Sequence, residues 1–369
     1  MVERMSNVFV ILGNGFSIDF LQYYSKIDSN IQDKIDVCNL FRFGDIIKIP
    51  WSQSPGFLSY RNTPELWKLG ARTNCSTSES NALIEEIITC ANMFFDFVNE
   101  ENDPKTSVKM KEEGSLYLKA YCELIAYLRQ LFIYYDSLIS DKSLKQFIEK
   151  SDWGWIEFFQ KIKSKKINQV TFVTYNYDIW LEKILRILNI PFRICGLEGN
   201  KFNSTGSLVN IIKPHGSISF IPKQMPPPSY SINYSLDIED ASLDAFNVQY
   251  ENLNKINEYV NRGAMIPPSG DSARLRADTW AKALRTQAVK KATQISEGEN
   301  VILCGLSYGY VDRKEVDGIL LSLNPNCNFT FINPNPPRDL NAVLMTIFKY
   351  YVLLSSSKNV AGVLNGKII

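Results

Sequence analysis

The single histidine of the chain is the residue whose chemistry can be argued most directly. His215 stands in Lys213-Pro214-His215-Gly216-Ser217, after an apolar run at 209–212. Imidazole exchanges protons near neutral pH because its unperturbed pKa is about 6.5. A strand that ends at a glycine turn would present this ring as a base at a sheet edge. On position alone, an equally good interpretation is a turn histidine that satisfies a backbone carbonyl.

Four other short segments place small or polar residues where predicted strands end. They are Gly13-Asn14-Gly15-Phe16-Ser17, Thr174-Tyr175-Asn176-Tyr177-Asp178, Cys304-Gly305-Leu306-Ser307 and Phe331-Ile332-Asn333-Pro334. Ligands of open α/β sheets lie at the carboxyl ends of strands, where glycines let backbone and phosphate approach closely. Singly, each segment also fits a plain turn or, for Asp178, the cap of a helix. Together the segments predict a nucleotide cleft.

Alternating apolar runs and helical periods show which elements position these residues. Strands are predicted at 7–12, 169–173, 191–195, 209–213, 264–266, 301–304 and 328–332. Helices are predicted at 82–98, 116–139, 153–162, 179–188, 241–260, 277–295, 313–323 and 339–350. This order predicts an α/β fold with a Rossmann-like, doubly wound, mostly parallel sheet. We expect one domain over 1–369, with core strands from 7–17 and 168–350 and a helical insert at about 80–165.

Composition excludes several classes of protein. The net charge of +1, from 40 basic and 39 acidic residues, gives no indication of nucleic acid as a partner. None of the seven cysteines lies within four residues of another, and there is one histidine, so we expect no metal site. The scattered thiols fit a reducing, cytoplasmic location. No uncharged apolar run is long enough to predict a membrane span.

The order of these segments resembles the sirtuin fold, and in particular the bacterial sirtuin-like domains of anti-phage defence systems. The resemblance covers about residues 8–335 and is carried by the Thr174–Asp178 segment together with Pro214-His215-Gly216. Ile266-Pro267-Pro268-Ser269 followed by Trp280 adds to it. Two departures argue against deacetylation. The four-cysteine zinc module is missing, and Ile18-Asp19-Phe20-Leu21 stands where sirtuin deacetylases carry Pro-Asp-Phe-Arg.

The resemblance implies that NAD+ is the substrate and that the chain hydrolyses its nicotinamide–ribose bond, depleting NAD+ during phage infection. It implies Asn176 and His215 as the catalytic pair. The other implied NAD+-binding residues are Gly13, Gly15 and Ser17 at the pyrophosphate, Asn14 and Phe16 in the same loop, Asp178 in support, Gly305 and Ser307 at a ribose or phosphate, and Asn333 at the adenosine ribose. Asn14, where the family has Ala, either contacts the cofactor or stabilises the turn.

Other interpretations and partners stay open at this point. The same residues would suit a sensor that binds NAD+ or ADP-ribose without turnover, and less well an NAD-dependent deacylase. A NADase must be held inactive until it is needed, so we expect a homo-oligomer or gating by a separate HerA-type ATPase. The apolar helix at 116–139 is a candidate contact surface, although an ordinary buried helix is the favoured interpretation.

Overall fold

The computed structural model describes residues 6–49, 55–99, 108–164, 167–197, 207–224, 232–234, 241–251, 253, 263–267 and 279–365. The chain divides into two compact units. The first unit comprises Met1–Gln32, Ile139–Pro214 and Ala281–Ile369, and the second comprises Asp33–Leu138 and His215–Trp280.

The bounds of the regular elements are as follows. The strands are β1 (Ser6–Leu12), β2 (Ile167–Thr174), β3 (Phe192–Ile194), β4 (Val209–Ile212), β5 (Phe220–Pro222), β6 (Phe246–Val248), β7 (Asn300–Cys304), β8 (Asn328–Ile332) and β9 (Tyr350–Leu354). The α-helices are α1 (Asn14–Tyr24), α2 (Pro64–Lys68), α3 (Thr77–Asn99), α4 (Val108–Ser137), α5 (Asp141–Lys150), α6 (Gly154–Ser164), α7 (Trp180–Ile187), α8 (Trp280–Ala292), α9 (Tyr310–Leu320) and α10 (Arg338–Ile347). Short 3-10 helices cover Ser29–Ile31, Leu243–Ala245 and Ser357–Asn365.

The first unit is built on a seven-stranded sheet with the order β3-β4-β2-β1-β7-β8-β9. Every neighbouring pair in it is parallel. Strands β1, β4 and β7 are apolar and buried along nearly their whole length, as strands covered on both faces require. The predicted α/β, Rossmann-like, doubly wound fold is therefore confirmed, and the described sheet is parallel throughout.

The strand order creates a topological switch point beside β1. The chain passes from β1 to β2, β3 and β4 on one side, then returns to β7, β8 and β9 on the other. Loops that leave β1 and β7 therefore depart in opposite directions at the carboxyl edge of the sheet. This is the position at which open α/β sheets bind their ligands.

Aromatic packing fixes α1 over this sheet. Phe16, Phe20 and Tyr24 recur at four-residue spacing, so they share one face of the helix, and all three are buried. The ring of Phe20 lies 5.5 Å from that of Trp153 and 5.3 Å from that of Trp180, measured between centroids. Burying rings of this size stabilises the fold by roughly 1.5–3 kcal/mol each. The start of α1 is thereby held in a defined position.

The second unit combines α2, α3 and α4 with the antiparallel pair β5 and β6. Leu124, Leu128 and Leu131 of α4 are fully buried. The proposed contact surface on this helix is therefore wrong, because its apolar face is already covered within the chain. The favoured alternative, a buried helix, is what the structure has. Whether the protein forms oligomers through another surface stays a prediction.

Several sequence predictions were wrong in detail. The first part of the predicted helix at 241–260 is instead a 3-10 helix followed by strand β6. A strand forms here because Phe246 and Val248 pair with residues of β5. Most of 252–262 lies outside the described residues. The helix predicted at 116–139 starts earlier, since α4 begins at Val108. Helices α1 and α5 and the strand β9 were not predicted. The predicted strand at 264–266 is reduced to a single bridge between Gly216 and Met265.

Candidate functional site

The loops that follow β1 and β7 touch through their glycines. The amide of Gly13 donates to Cys304 O and that of Gly15 to Gly305 O, both at 2.9 Å. A Cβ added to Gly15 would lie 2.4 Å from Gly305 Cα, closer than any real side chain can approach. Gly305 also has a φ of +63°, a conformation that favours glycine. The glycines of both segments are therefore required for the two strand ends to meet at the switch point.

The amides expected to hold a pyrophosphate are largely engaged within the protein. Besides Gly13 and Gly15, the amide of Phe16 donates to Gly13 O at 3.0 Å. These three N–H groups cannot donate to a ligand in this conformation. The phosphate contact predicted for this loop consequently depends on close approach to its backbone and on Asn14, which is exposed.

Two side chains in the first turn of α1 face inward. The ring of Phe16 lies 5.5 Å from that of Trp153 and 5.3 Å from that of Trp155, so it belongs to the core. Ser17 is completely buried. Both residues, predicted as NAD+ contacts, hold α1 in place in this structure, with Ser17 acting through Asn176 and Asp178.

A hydrogen-bond chain joins the ends of β1 and β2. Asn176 Nδ2 donates to Gly13 O at 3.1 Å and to Ser17 Oγ at 2.9 Å. Ser17 Oγ donates to Asp178 Oδ2 at 2.7 Å. Both hydrogens of the Asn176 carboxamide are thus used, and its Oδ1 is the atom that remains to accept a hydrogen bond from a ligand. The structure therefore brings together four of the residues that the sequence singled out, Gly13, Ser17, Asn176 and Asp178.

Asp178 also contacts the start of α7, but not as its N-cap residue. Its Oδ1 accepts from the amide of Trp180 at 3.2 Å, while Ile179 occupies the N-cap position. Asp178 thus accepts a hydrogen bond from the first turn of α7, as a capping residue does, but it lies one residue before the N-cap position. The carboxylate is held from both sides, by Ser17 and by the helix.

A buried lysine supports Asp178, and the sequence analysis did not identify it. Lys213 Nζ donates to the backbone oxygen of Asp178 at 2.5 Å and to Glu182 Oε1 at 2.9 Å. Lys213 and Glu182 each expose 1% of their side chains. Burial raises the pKa of both Asp178 and Glu182, and the ammonium of Lys213 opposes that rise. The signal that could have found this group is a charged residue on the otherwise apolar face of α7.

The strand ends on the far side of β1 are also joined. Gly305 N donates to Ile332 O at 3.0 Å, and Asn333 Nδ2 to Leu306 O at 3.5 Å. Asn333 Oδ1 accepts from Asn335 N at 2.9 Å, so this side chain stabilises its own turn. Ser307 is exposed beside it. The predicted contacts at Gly305, Ser307 and Asn333 therefore lie along one edge of the sheet.

His215 belongs to the second unit, on a turn that is locked by backbone contacts. Its carbonyl accepts from Ile266 N at 3.0 Å, and the next residue, Gly216, bridges to Met265. Gly216 has a φ of +81°, and a Cβ there would lie 1.8 Å from Ala264 O. The predicted glycine turn is confirmed. The pairing of His215 with Asn176, a residue of the first unit, stays a prediction.

Comparison of the sequence with models of known protein families gives no match, and comparison with curated proteins gives none either. The class of protein that the structure defines is therefore the Rossmann-like α/β fold, and the sirtuin-like resemblance stays a proposal based on the residues quoted above. Within the described part of the chain, no three His, Cys, Asp or Glu side chains are grouped so that they could hold a metal ion. In the same part of the chain, no helix combines the length and hydropathy needed to span a bilayer.

Proposed function

We propose that this protein is a sirtuin-like NAD+ glycohydrolase that releases nicotinamide and ADP-ribose from NAD+. Its role would be bacterial anti-phage defence by NAD+ depletion, with activity gated by self-association or by a partner such as a HerA-type ATPase. The fold supports the proposal because the switch point of a doubly wound sheet is a nucleotide-binding position.

The observation that carries the proposal is the fixed carboxamide of Asn176. Its two donors are held by Gly13 O and Ser17 Oγ, so Oδ1 has a defined direction at the carboxyl edge of β1 and β2. An acceptor fixed in this way can orient a water molecule or a ribose hydroxyl. Neither donor has to reorganise during the reaction, which is how preorganised dipoles contribute to catalysis.

The chemistry suits these residues. The bond between the nicotinamide nitrogen and ribose C1′ breaks with its electron pair going to the nitrogen, so nicotinamide leaves neutral and needs no acid. The ribose passes through an oxocarbenium-like state, water adds to C1′, and His215 accepts the proton. General-base catalysis of this kind contributes roughly 10²–10⁴-fold in rate. Asp178 and Ser17 keep Asn176 in position.

The direct test is incubation of the purified chain with NAD+, followed by quantification of nicotinamide and ADP-ribose. The reaction is run with and without the products of neighbouring genes, since gating is part of the proposal. Stoichiometric release of both products that is lost in Asn176→Ala and kept in Asn335→Ala, an exposed control, would support the hydrolase. Tight binding of ADP-ribose without release in any mixture would establish a sensor instead. O-acetyl-ADP-ribose formed from an acetylated peptide would establish a deacylase.

A further inference from the structure

A buried guanidinium lies in the second unit, and two of its three nitrogens have no hydrogen-bond partner within the described structure. Arg129 of α4 is fully buried, and its Nη1 donates to Ile218 O at 2.9 Å. Its Nε and Nη2 are also buried, and neither has a hydrogen-bond partner within the described structure. An unpaired charge removed from water costs several kcal/mol, so such groups are normally paired.

The two unused donors form one edge of the guanidinium. Nε–H and Nη2–H point in parallel and match the spacing of two oxygens in a phosphate or carboxylate. Nη1, the remaining nitrogen, is the one fixed by Ile218 O. Nη1 therefore holds the side chain, and the Nε–Nη2 edge, which is the one suited to bind an oxyanion in a bidentate manner, is buried and has no hydrogen-bond partner within the described structure.

Arg129 lies against the two segments that carry the His215 turn. Ile218 follows His215 by three residues, and a Cβ added to Gly263 would lie 2.9 Å from Arg129 Nη1. The segments around them pair in antiparallel fashion, with Ser217 N donating to Ala264 O at 3.2 Å. Gly263 is the residue that leaves room for the guanidinium. Arg129 is therefore held, through Nη1, by the same pair of segments that carries His215.

Among the residues that the structure describes, no acidic side chain acts on this guanidinium. Burial lowers the pKa of Arg129 to about 10, and no neighbouring carboxylate raises it. Glu123, on the same helix, accepts instead from Leu66 N at 2.8 Å and from Tyr234 Oη at 2.9 Å. Glu123 is thus engaged elsewhere, and no described carboxylate pairs with Arg129.

We propose that Arg129 binds a phosphoryl group of a nucleotide ligand through its Nε and Nη2. Identification of that nucleotide as NAD+ or its product ADP-ribose rests on the proposed function. The oxyanion site itself rests only on the unpartnered Nε and Nη2 donors of Arg129. A phosphoryl group is preferred over a carboxylate because the phosphates are the anionic groups of a dinucleotide.

The test compares Arg129→Lys with wild type in the full chain. Lysine keeps the charge and can still donate to Ile218 O, but it cannot offer two parallel donors. Arg61→Lys, an exposed arginine of the same unit, is the matched control. Pyrophosphate, ADP-ribose and citrate are the probes, with binding measured by calorimetry and folding by circular dichroism. Arg129→Met serves as a second variant that removes the charge.

We expect pyrophosphate and ADP-ribose to bind wild type and Arg61→Lys alike, and to bind Arg129→Lys about 10- to 100-fold more weakly, as loss of charge-assisted bonds predicts. Equal affinities in a folded Arg129→Lys variant would overturn the proposal. So would binding of citrate alone, which would make the site a carboxylate site. Weakened ADP-ribose binding in a protein that never cleaves NAD+ would support Arg129 and reject the hydrolase. If either lysine or methionine at 129 unfolds the chain without added ligand, Arg129 is structural and the proposal fails.

Discussion

Gly15 and Gly305 lie in backbone contact, so that a methyl group on Gly15 would approach Gly305 Cα to 2.4 Å. The two residues are far apart in sequence and follow neighbouring strands of the sheet. Gly15 N also donates to Gly305 O at 2.9 Å. This contact ties the two halves of the doubly wound sheet together at its switch point.

Gly15→Ala should destabilise the protein by about 1–3 kcal/mol, because backbone has to move to admit the methyl group. Gly318→Ala is the matched control, since nothing lies within 4 Å of a Cβ at that helical position. There the same change should stabilise α9 by about 0.5–1 kcal/mol. Denaturant unfolding of the two variants measures both effects, and equal stabilities would contradict the close contact.

Lys213→Met should be among the most damaging changes in the first unit. It leaves Glu182 and Asp178 buried without their cation, at a cost of about 3–5 kcal/mol. Lys68→Met, which removes the exposed partner of Glu65, should cost less than about 1 kcal/mol. The double variant Lys213→Met/Glu182→Leu should recover part of the loss, because one unpaired charge is then gone. Chemical denaturation gives the free energy of unfolding of all three variants. If the double variant is no more stable than Lys213→Met, then Lys213 stabilises the protein mainly by packing.

Asn176→Ala should abolish turnover while weakening NAD+ binding far less. The change removes the oriented Oδ1 but leaves Gly13, Gly15 and Gly305 where they are. Separate measurement of kcat and of the dissociation constant for ADP-ribose distinguishes the two effects. Parallel losses in binding and turnover would make Asn176 a binding residue only.

His215→Ala and the near-isosteric His215→Gln should both fold and both lose NAD+ cleavage by roughly 10²–10⁴-fold. The expectation follows from the proposed transfer of the water proton to the imidazole. Rates are compared with circular dichroism spectra and melting curves of the same preparations. A folded variant with wild-type turnover would remove His215 from the mechanism.

Stability of the second unit should fall between acidic and neutral pH because of Glu123. Burial raises the pKa of this carboxyl to about 7 from its ordinary value of 4.5. The folded chain therefore holds the proton more tightly than the unfolded chain. The resulting stability is complete below the unfolded pKa and disappears as the pH rises through about 7. At roughly 1.4 kcal/mol per pKa unit, the loss amounts to about 3–4 kcal/mol.

Glu123→Gln should remove most of this pH dependence. A glutamine oxygen can accept from Glu65 N and Leu66 N, and its amide can donate to Tyr234 Oη, so the local bonds can persist without a titrating group. Unfolding free energies of both proteins from pH 4.5 to 8 give the comparison. Identical slopes would assign the pH dependence to other groups.

Local sequence patterns were sufficient to predict the strands that consist of one continuous apolar run. Strands β1, β7 and β8 lie within a residue or two of their predicted positions, because buried parallel strands must be continuously apolar. Strand β9 was not predicted: the helix predicted at 339–350 ends at Tyr350, the residue where β9 begins. The segment forms a strand because it pairs in parallel with β8, where Phe329 lies opposite Tyr351.

The sequence by itself determined the α/β class, the strand-end turns and the identity of Asn176, Asp178 and His215 as polar residues at those turns. Only the tertiary structure decided the strand order and the contact of Gly15 with Gly305. It also decided the burial of Ser17, the ion pair of Lys213 with Glu182 and the lack of hydrogen-bond partners at Nε and Nη2 of Arg129. The physical reason is range: periodicity and turn chemistry act over a few residues, whereas burial and charge pairing depend on side chains that meet only when distant strands and helices pack.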